Sequence, residues 1–113
     1  METPLPCTLV QNHRDLMEIV KTREGFVALF YASWCPFCRE FLPAFTKRAE
    51  QGGQRFVLVQ DDQETMADHY AVKVYPTVLF FENGVVAKRL DGAPGVGLKE
   101  EALTKFVERC RPT

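Results

Sequence analysis

The sequence has almost no charge bias. Fourteen basic residues against fifteen acidic residues give a formal net charge of -1, and no basic cluster interrupts the mixture. This balance argues against a surface for nucleic acid or anionic membranes, since both require concentrated positive charge. Long hydrophobic runs are missing too, because the longest, residues 26–32, is too short to cross a bilayer. We therefore expect neither nucleic acid nor a membrane among the partners.

Cysteine and histidine are also scarce. Four cysteines in 113 residues are too few for a disulfide scaffold. A closed structural zinc site needs four ligands, and the chain has no second Cys-x-x-Cys pair and no histidine pair to complete one. The sequence therefore predicts no metal site. His13 and His69 fall in predicted helices, where we expect both to lie on the surface.

Two of the cysteines, Cys7 and Cys110, lie near the ends of the chain. Cys110 falls on the apolar face of the last predicted helix, which favours a buried and unreactive thiol. Cys7 follows a Pro-Leu-Pro run and could be exposed. A bridge between the two stays open at this point, because disulfide connectivity cannot be derived from sequence alone.

The first residues lack the basic and apolar segments of a signal peptide. We expect a single domain over residues 1–113, with residues 1–7 as an irregular lead-in, since this length suffices for a hydrophobic core. The expected location is the cytoplasm. A periplasmic or secreted location stays open, because a chain from which a signal had been removed would look the same.

One motif stands out against this background. Cys35 and Cys38 are separated by two residues, and they lie where an apolar run gives way to a helical pattern. A cysteine at a helix N-terminus meets unpaired N–H groups and the positive end of the dipole, which favour a thiolate. The second cysteine follows about one turn later, within reach of a disulfide. The spacing predicts a redox pair, with Cys35 as nucleophile and Cys38 as resolving cysteine.

Hydrophobic periodicity predicts alternating strands and helices, followed by a hairpin and a last helix. The predicted order is β-α-β-α-β-α-β-β-α, an α/β fold whose mixed central sheet is flanked by helices. Strands are predicted at residues 8–11, 26–32, 55–60, 77–81 and 85–90, and helices at residues 13–23, 39–50, 61–70 and 98–110. Asn12 is a suitable N-cap for the first helix, and Asn83-Gly84 favours a tight hairpin turn.

These motifs resemble those of the thioredoxin family over nearly the whole chain. Residues 34–38, Trp-Cys-Pro-Phe-Cys, are similar to the family's Trp-Cys-x-x-Cys, and Pro43 stands where the family has a helix-kinking proline. Residues 75–77, Tyr-Pro-Thr, resemble the family's cis-proline signature, and residues 91–93 resemble the loop before its last helix. Residues 30–32, 75–77 and 80–84 lean towards the catalytic domains of protein disulfide isomerases.

The resemblance implies a thioredoxin fold and a thiol–disulfide oxidoreductase. Its partners would be protein disulfide or dithiol substrates and a reductase or oxidase that recycles the pair. No bound organic cofactor is implied, because the cysteines carry the electrons, and we expect a monomer. The residues expected to bind substrate or shape the site are Trp34, Pro36, Phe37, Tyr75 and Pro76. Of these, Trp34 would shield the disulfide and Phe37 would be exposed at the tip of the motif.

The chain departs from the family pattern at two positions that serve proton transfer. Much of the family has a buried carboxylate where this chain has Leu29, and the lysine expected on the following strand is missing. Either water or another carboxylate must then take the proton from Cys38. Asp61 and Glu40 are the nearest candidates in sequence, but we expect both to be solvated.

The direction of electron flow stays open between two interpretations, of which we prefer a reductant of protein disulfides. Pro36 and Phe37 between the cysteines, together with the isomerase-like segments, favour the alternative of a disulfide oxidase or isomerase in an oxidising compartment. A third hypothesis is a redox-inactive binding module with a thioredoxin-like fold. The intact cysteine pair argues against that module, and the missing carboxylate and lysine argue for it.

Overall fold

The computed structural model of the chain describes residues 7–52 and 55–110. Its strands are β1 (Thr8–Val10), β2 (Gly25–Tyr31), β3 (Phe56–Gln60), β4 (Thr77–Glu82) and β5 (Val85–Leu90). Its α-helices are α1 (His13–Thr22), α2 (Pro36–Gly52) and α3 (Glu100–Arg109), and a 3₁₀ helix covers Asp68–Tyr70. Of the predicted irregular lead-in, residues 1–6 lie outside the described residues.

The strands form one mixed sheet in the order β1-β3-β2-β4-β5. β1, β3 and β2 are parallel to one another, whereas β4 is antiparallel to both β2 and β5. Parallel neighbours need helical crossovers, and α1 and α2 supply them. The predicted mixed sheet with flanking helices is confirmed.

β2 is the central strand, as its continuous apolar sequence predicts. Every residue from Phe26 to Tyr31 is buried, and Leu29 has no exposed surface. A strand that is covered on both faces needs apolar side chains at successive positions rather than at alternate ones. β2 ends at Tyr31, so the chain leaves the sheet shortly before the cysteine motif.

Two local signals in the sequence have the predicted structure. The Asn12 side chain accepts a hydrogen bond from the Asp15 N–H at 2.8 Å, which caps α1. Asn83 and Gly84 have φ angles of 52° and 88°, and together they turn β4 into β5. Both positions of such a turn require positive φ, for which Asn and Gly are suited.

The α-helix predicted over residues 61–70 is wrong. The chain forms turns there and then the 3₁₀ helix, which ends at Ala71 with a φ of 55°. Glu64 also has a positive φ, 60°, and a residue in that conformation interrupts a right-handed helix. The carboxylate of Asp61 accepts the N–H groups of residues 65–67. These side-chain bonds replace the backbone acceptors that a helix would supply.

The helices that the structure describes are all too short or too polar to cross a membrane.

Candidate active site

The two cysteines of the motif lie where β2 passes into α2. The Cys35 N–H donates to the Ala32 carbonyl at 3.2 Å, so the chain turns directly after the strand. The Cys35 carbonyl accepts from the Arg39 N–H, also at 3.2 Å, which begins the hydrogen-bond pattern of the helix. Pro36 follows as the first helical residue, where its missing N–H costs nothing. Cys35 thus lies at the open N-terminus of α2, as predicted.

Both cysteines are free thiols, and both are buried. Cys35 is 6% exposed, and its Sγ–H donates to the Tyr75 carbonyl with a sulphur–oxygen distance of 3.7 Å. Cys38 is 1% exposed. Burial, reinforced by a hydrogen bond to Cys35, raises the pKa of Cys38 to about 12. Cys35 is therefore the more exposed of the two residues, and Cys38 is held as a protonated thiol.

The Tyr75–Pro76 segment faces Cys35 from the other side of the site. The peptide bond between these two residues is cis, as predicted, and both residues are buried. Gly92 lies against the segment so closely that a Cβ there would stand 2.3 Å from the Pro76 carbonyl oxygen. The Thr77 hydroxyl donates to the Val74 carbonyl and accepts from the Gly92 N–H. The loop before α3 thus supports the segment that lies beside the cysteines.

Asp62 holds the loop in front of the motif, a role that the sequence did not reveal. Its carboxylate accepts both the Ser33 N–H and the Ser33 hydroxyl at 2.7 Å. These bonds, with one from Gln60, hold the pKa of the Asp62 carboxyl below its ordinary value. The Asp62 carbonyl accepts the indole N–H of Trp34 at 2.9 Å, while the ring remains 52% exposed. Trp34 therefore presents a fixed aromatic face beside Cys35.

Phe37 is half-buried, so the prediction that its ring is exposed at the tip of the motif is wrong. The Phe37 side chain lies against Gly97, where a Cβ would come within 2.9 Å of the Phe37 Cβ. Gly97 has a φ of 79°, and its backbone pairs with Ala93 across the loop. Only a residue without a side chain leaves room for Phe37 there. The exposed apolar residue in that loop is Val96, at 58%.

Asp61 is buried, which corrects the expectation that it is solvated. It is 2% exposed, and its oxygens accept bonds from backbone N–H groups of residues 65–67 and from the Tyr75 hydroxyl. Buried carboxylates need such donors, because desolvation without them costs several kcal/mol. Glu40 is exposed, as expected. Leu29 has no exposed surface and no group that accepts a proton.

The remaining candidate residues lie outside this arrangement. Cys110 is buried, as predicted, and Cys7 is half-buried; both are unbridged, so the bridge between them is not formed. His13 and His69 are exposed, with their ring centres 4.8 Å apart. Within the described part of the chain, no group of three or more His, Cys, Asp or Glu residues is placed to hold a metal ion.

Comparison with known proteins supports the interpretation of this geometry. The family model described as Thioredoxin matches residues 8–109. The chain belongs to the thioredoxin family. With its Cys35–Cys38 pair, this domain is a thiol–disulfide oxidoreductase. Members of the family act on protein disulfides and are recycled by a reductase.

Curated relatives include thioredoxins and larger isomerases. The chain is 34% identical over 87 residues to thioredoxin of Mycoplasma genitalium, a match that covers 75% of this chain and 85% of the relative. It is 33% identical over 109 residues to protein disulfide-isomerase A5 of Bos taurus, covering 91% of this chain. The chain spans only 20% of that isomerase's length.

Solved structures show the same fold. A mutant thioredoxin from Halobacterium salinarum NRC-1 superposes with a TM-score of 0.77 at 25% identity, covering 99% of this chain and 98% of the other. Thioredoxin from Plasmodium falciparum superposes with a TM-score of 0.80 at 20% identity, covering 92% and 99%. The thioredoxin fold expected from the motifs is confirmed.

Proposed function

We propose that this domain reduces disulfide bonds in protein substrates, with Cys35 as the attacking sulphur and Cys38 as the resolving one. The observation that carries the proposal is the position of Cys35. Its sulphur lies at the N-terminus of α2 and contacts the Tyr75 carbonyl, and the neighbouring Trp34 ring is exposed. Cys38 lies deeper, at 1% exposure. A substrate disulfide that approaches along this surface therefore meets Cys35 first.

The reaction has two exchange steps. The Cys35 thiolate attacks one sulphur of the substrate disulfide, forms a mixed disulfide, and displaces the other sulphur as a thiolate that takes up a proton. Cys38 then loses its proton and attacks the Cys35 sulphur. This step closes the Cys35–Cys38 disulfide and releases the second substrate thiolate. Two electrons pass from the pair to the substrate, and a reductase returns them.

The way in which the Cys35 thiolate is stabilised supports the proposed direction. Strong oxidants of this chemistry are those whose reduced form is specially stabilised. Here no histidine stands between the cysteines. Arg39, the nearest cation in sequence, is exposed and donates to the Ser33 carbonyl at 3.4 Å. The helix terminus is left as the main source of stabilisation, which favours a pair that gives up electrons readily.

Water is the proposed acceptor for the Cys38 proton. Leu29 has no basic group, and the exposure of Glu40 favours a role on the surface. Asp61 is buried, but its two oxygens already accept bonds from Met66, Ala67 and the Tyr75 hydroxyl. We therefore assign the proton transfer to solvent rather than to a side chain.

The proposal also covers the cellular compartment and the oligomeric state. A reductant needs a compartment whose thiol pool is kept reduced, and we expect the cytoplasm. Each mixed disulfide joins one Cys35 to one substrate sulphur, so the mechanism needs no second copy of the chain. We expect a monomer, which sedimentation equilibrium would check.

A trapping experiment tests the two-step mechanism. Without the resolving sulphur the mixed disulfide has no internal exit, so Cys38→Ser should accumulate covalent adducts with reducible protein substrates. These adducts should migrate as larger species that dithiothreitol releases. The double variant Cys35→Ser/Cys38→Ser is the matched control and should form none. If the single variant captures nothing that reductant releases, the assignment of Cys35 and Cys38 is wrong.

The reduction potential of the pair tests the direction. Equilibration with glutathione, followed by Trp34 fluorescence, should give a value nearer that of thioredoxin, about -270 mV, than that of protein disulfide isomerase, about -180 mV. A value at or above the latter would favour an oxidase or isomerase, as the isomerase relative also suggests. Absence of a reversible transition would leave the redox-inactive binding module.

A further inference from the structure

The turn that follows β3 is built around one buried carboxylate. Asp61 Oδ2 accepts the Ala67 N–H at 2.7 Å, and both oxygens accept the Met66 N–H at 3.0–3.1 Å. The Asp61 N–H donates in turn to the Tyr31 carbonyl at 2.8 Å, at the end of β2. The carboxylate is thus held in place by the backbone on both sides of it.

The same carboxylate reaches across to the cis-proline segment. The Tyr75 hydroxyl donates to Asp61 Oδ2 at 2.8 Å, and the residue is 8% exposed. Burial and the bond to Asp61 raise the pKa of the Tyr75 hydroxyl well above its ordinary value. This hydroxyl is therefore a permanent donor. A charge-assisted bond of this kind is roughly twice as strong as one between neutral groups.

The two ends of Tyr75 have different partners. Its side chain ends at Asp61, while its main-chain carbonyl accepts the Cys35 thiol at 3.7 Å. The indole of Trp34 packs edge-on against the phenol ring, with centres 6.1 Å apart. Tyrosine has few rotatable bonds, so a fixed hydroxyl restricts where its own backbone can lie. A restraint at Asp61 is thereby passed to the carbonyl that touches Cys35.

We propose that Asp61 and the Tyr75 hydroxyl form a clamp that positions the Tyr75 carbonyl against the Cys35 sulphur and so adjusts the nucleophilicity of Cys35. Asp61 is a positioning residue in this role, since it acts through Tyr75 and does not touch the reacting sulphur. The carbonyl accepts a bond from the thiol and opposes the thiolate, because its oxygen carries partial negative charge. Releasing the clamp therefore favours the thiolate. The inference rests on the proposed role of Cys35 as the attacking sulphur.

Removing one hydroxyl tests the clamp. Tyr75→Phe keeps the ring and its packing on Trp34 but loses the bond to Asp61. The probe is the alkylation of reduced protein by iodoacetamide from pH 5 to 9, with the Cys35 peptide followed by mass spectrometry. At the acidic end of the profile the variant should alkylate at Cys35 about two- to fivefold faster than the parent, the effect of a weakened hydrogen bond. The profile should shift towards lower pH.

Tyr70→Phe is the matched control. It removes the hydroxyl of a half-buried tyrosine, one that bonds to the Met17 sulphur and not to Asp61. Its alkylation profile should coincide with that of the parent protein. Asp61→Asn should shift the profile in the same direction as Tyr75→Phe, because an amide accepts the tyrosine bond less strongly than a carboxylate. Thermal unfolding of each variant reports changes in stability separately.

Two results would overturn the clamp. One is a Tyr75→Phe profile that matches those of the parent and of Tyr70→Phe; the other is a shift towards higher pH. Neither result bears on whether the domain reduces or oxidises substrates, since alkylation is measured without a substrate. Failure of the proposed function would instead appear in the trapping and potential measurements. The Tyr75→Phe alkylation profile would then still shift towards lower pH.

Discussion

The two ends of β2 each lie near a buried cysteine at a helix terminus. Cys38, 1% exposed, lies in the first turn of α2 beyond the end of the strand. Cys110, 3% exposed, follows the last residue of α3 and lines a cleft with Gly25, where β2 starts. Burial raises the pKa of both thiols. Depth alone therefore does not distinguish a redox cysteine from an inert one.

The difference lies in what surrounds each sulphur. Cys38 has a second thiol, Cys35, within hydrogen-bonding distance, and Cys35 lies at the positive end of a helix. Cys110 lies at the negative end of one, where the dipole opposes a thiolate. Lys88, Arg109 and Arg55 act in the other direction, but burial outweighs them. A partner sulphur and the polarity of the helix therefore predict a reactive site at Cys35 and Cys38, whereas the basic neighbours of Cys110 do not offset its burial.

The largest expected effect is the difference in activity between cysteine substitutions at the two ends of β2. Cys35→Ser should abolish catalysis of insulin disulfide reduction by dithiothreitol, because the attacking sulphur is gone. Cys110→Ser should retain the parent rate, since its thiol has no partner within the site. The turbidity of precipitating insulin B chain measures both. If Cys110→Ser loses activity while its thermal unfolding is unchanged, the contrast between the two ends is wrong.

A smaller effect concerns the pH dependence of the resolving step. This step needs the Cys38 thiolate, and burial is the largest cause of its raised pKa. We expect that burial to persist in the mixed disulfide. With a pKa near its ordinary value of 9.0 the rate would level off there. We expect it instead to go on rising above pH 9, by up to about tenfold per pH unit. Rapid-quench decay of the mixed disulfide from pH 6 to 10 measures this, and a plateau at or below pH 9 would contradict it.

Substituting Leu29 sharpens the same measurement. Leu29→Asp places a carboxylate where much of the family has one, and it should raise the resolving rate at neutral pH. Leu29→Asn is the matched control, because it adds a polar group of the same shape without a base. Both variants will be less stable, since they bury a polar side chain at a site with no exposed surface. Equal resolving rates in two folded variants would show that the missing carboxylate does not limit the resolving step.

The smallest effect on disulfide exchange is expected from two glycine substitutions. Gly92 lies near the cysteine end of β2, and Gly84 lies in the turn near the start of β2. Gly92→Ala drives a Cβ to 2.3 Å from the Pro76 carbonyl, so it should lower the free energy of unfolding by about 2–3 kcal/mol. It should also slow exchange, because the segment beside Cys35 must shift. Gly84→Ala meets no neighbouring atom within 4 Å but has a φ of +88°. Gly84→Ala should lower the free energy of unfolding by about 1 kcal/mol and leave the rate of disulfide exchange unchanged. Urea unfolding and the insulin assay measure both, and equal losses of activity would contradict the comparison.

Much of the fold could be predicted because its signals are local. The apolar run of β2, the Asn12 cap and the Asn83-Gly84 turn each depend on residues adjacent in the chain. The segment over residues 61–70 could not be predicted in this way. Its composition suits a helix, but Asp61 takes the N–H groups that a helix would have used. The competition between side-chain and backbone acceptors is decided by whether the aspartate is buried, which depends on distant residues.

The sequence by itself determined the redox pair, its place at the start of a helix, and the proline that faces it. These follow from the spacing of Cys35 and Cys38, from the apolar run before them, and from the family motif around Pro76. Only the tertiary structure decided that Asp61 is buried against Tyr75, that Asp62 holds Ser33 and Trp34, and that Phe37 packs on Gly97. Each of these contacts joins segments far apart in the chain. Their formation depends on the strand order of the sheet, which no local pattern specifies.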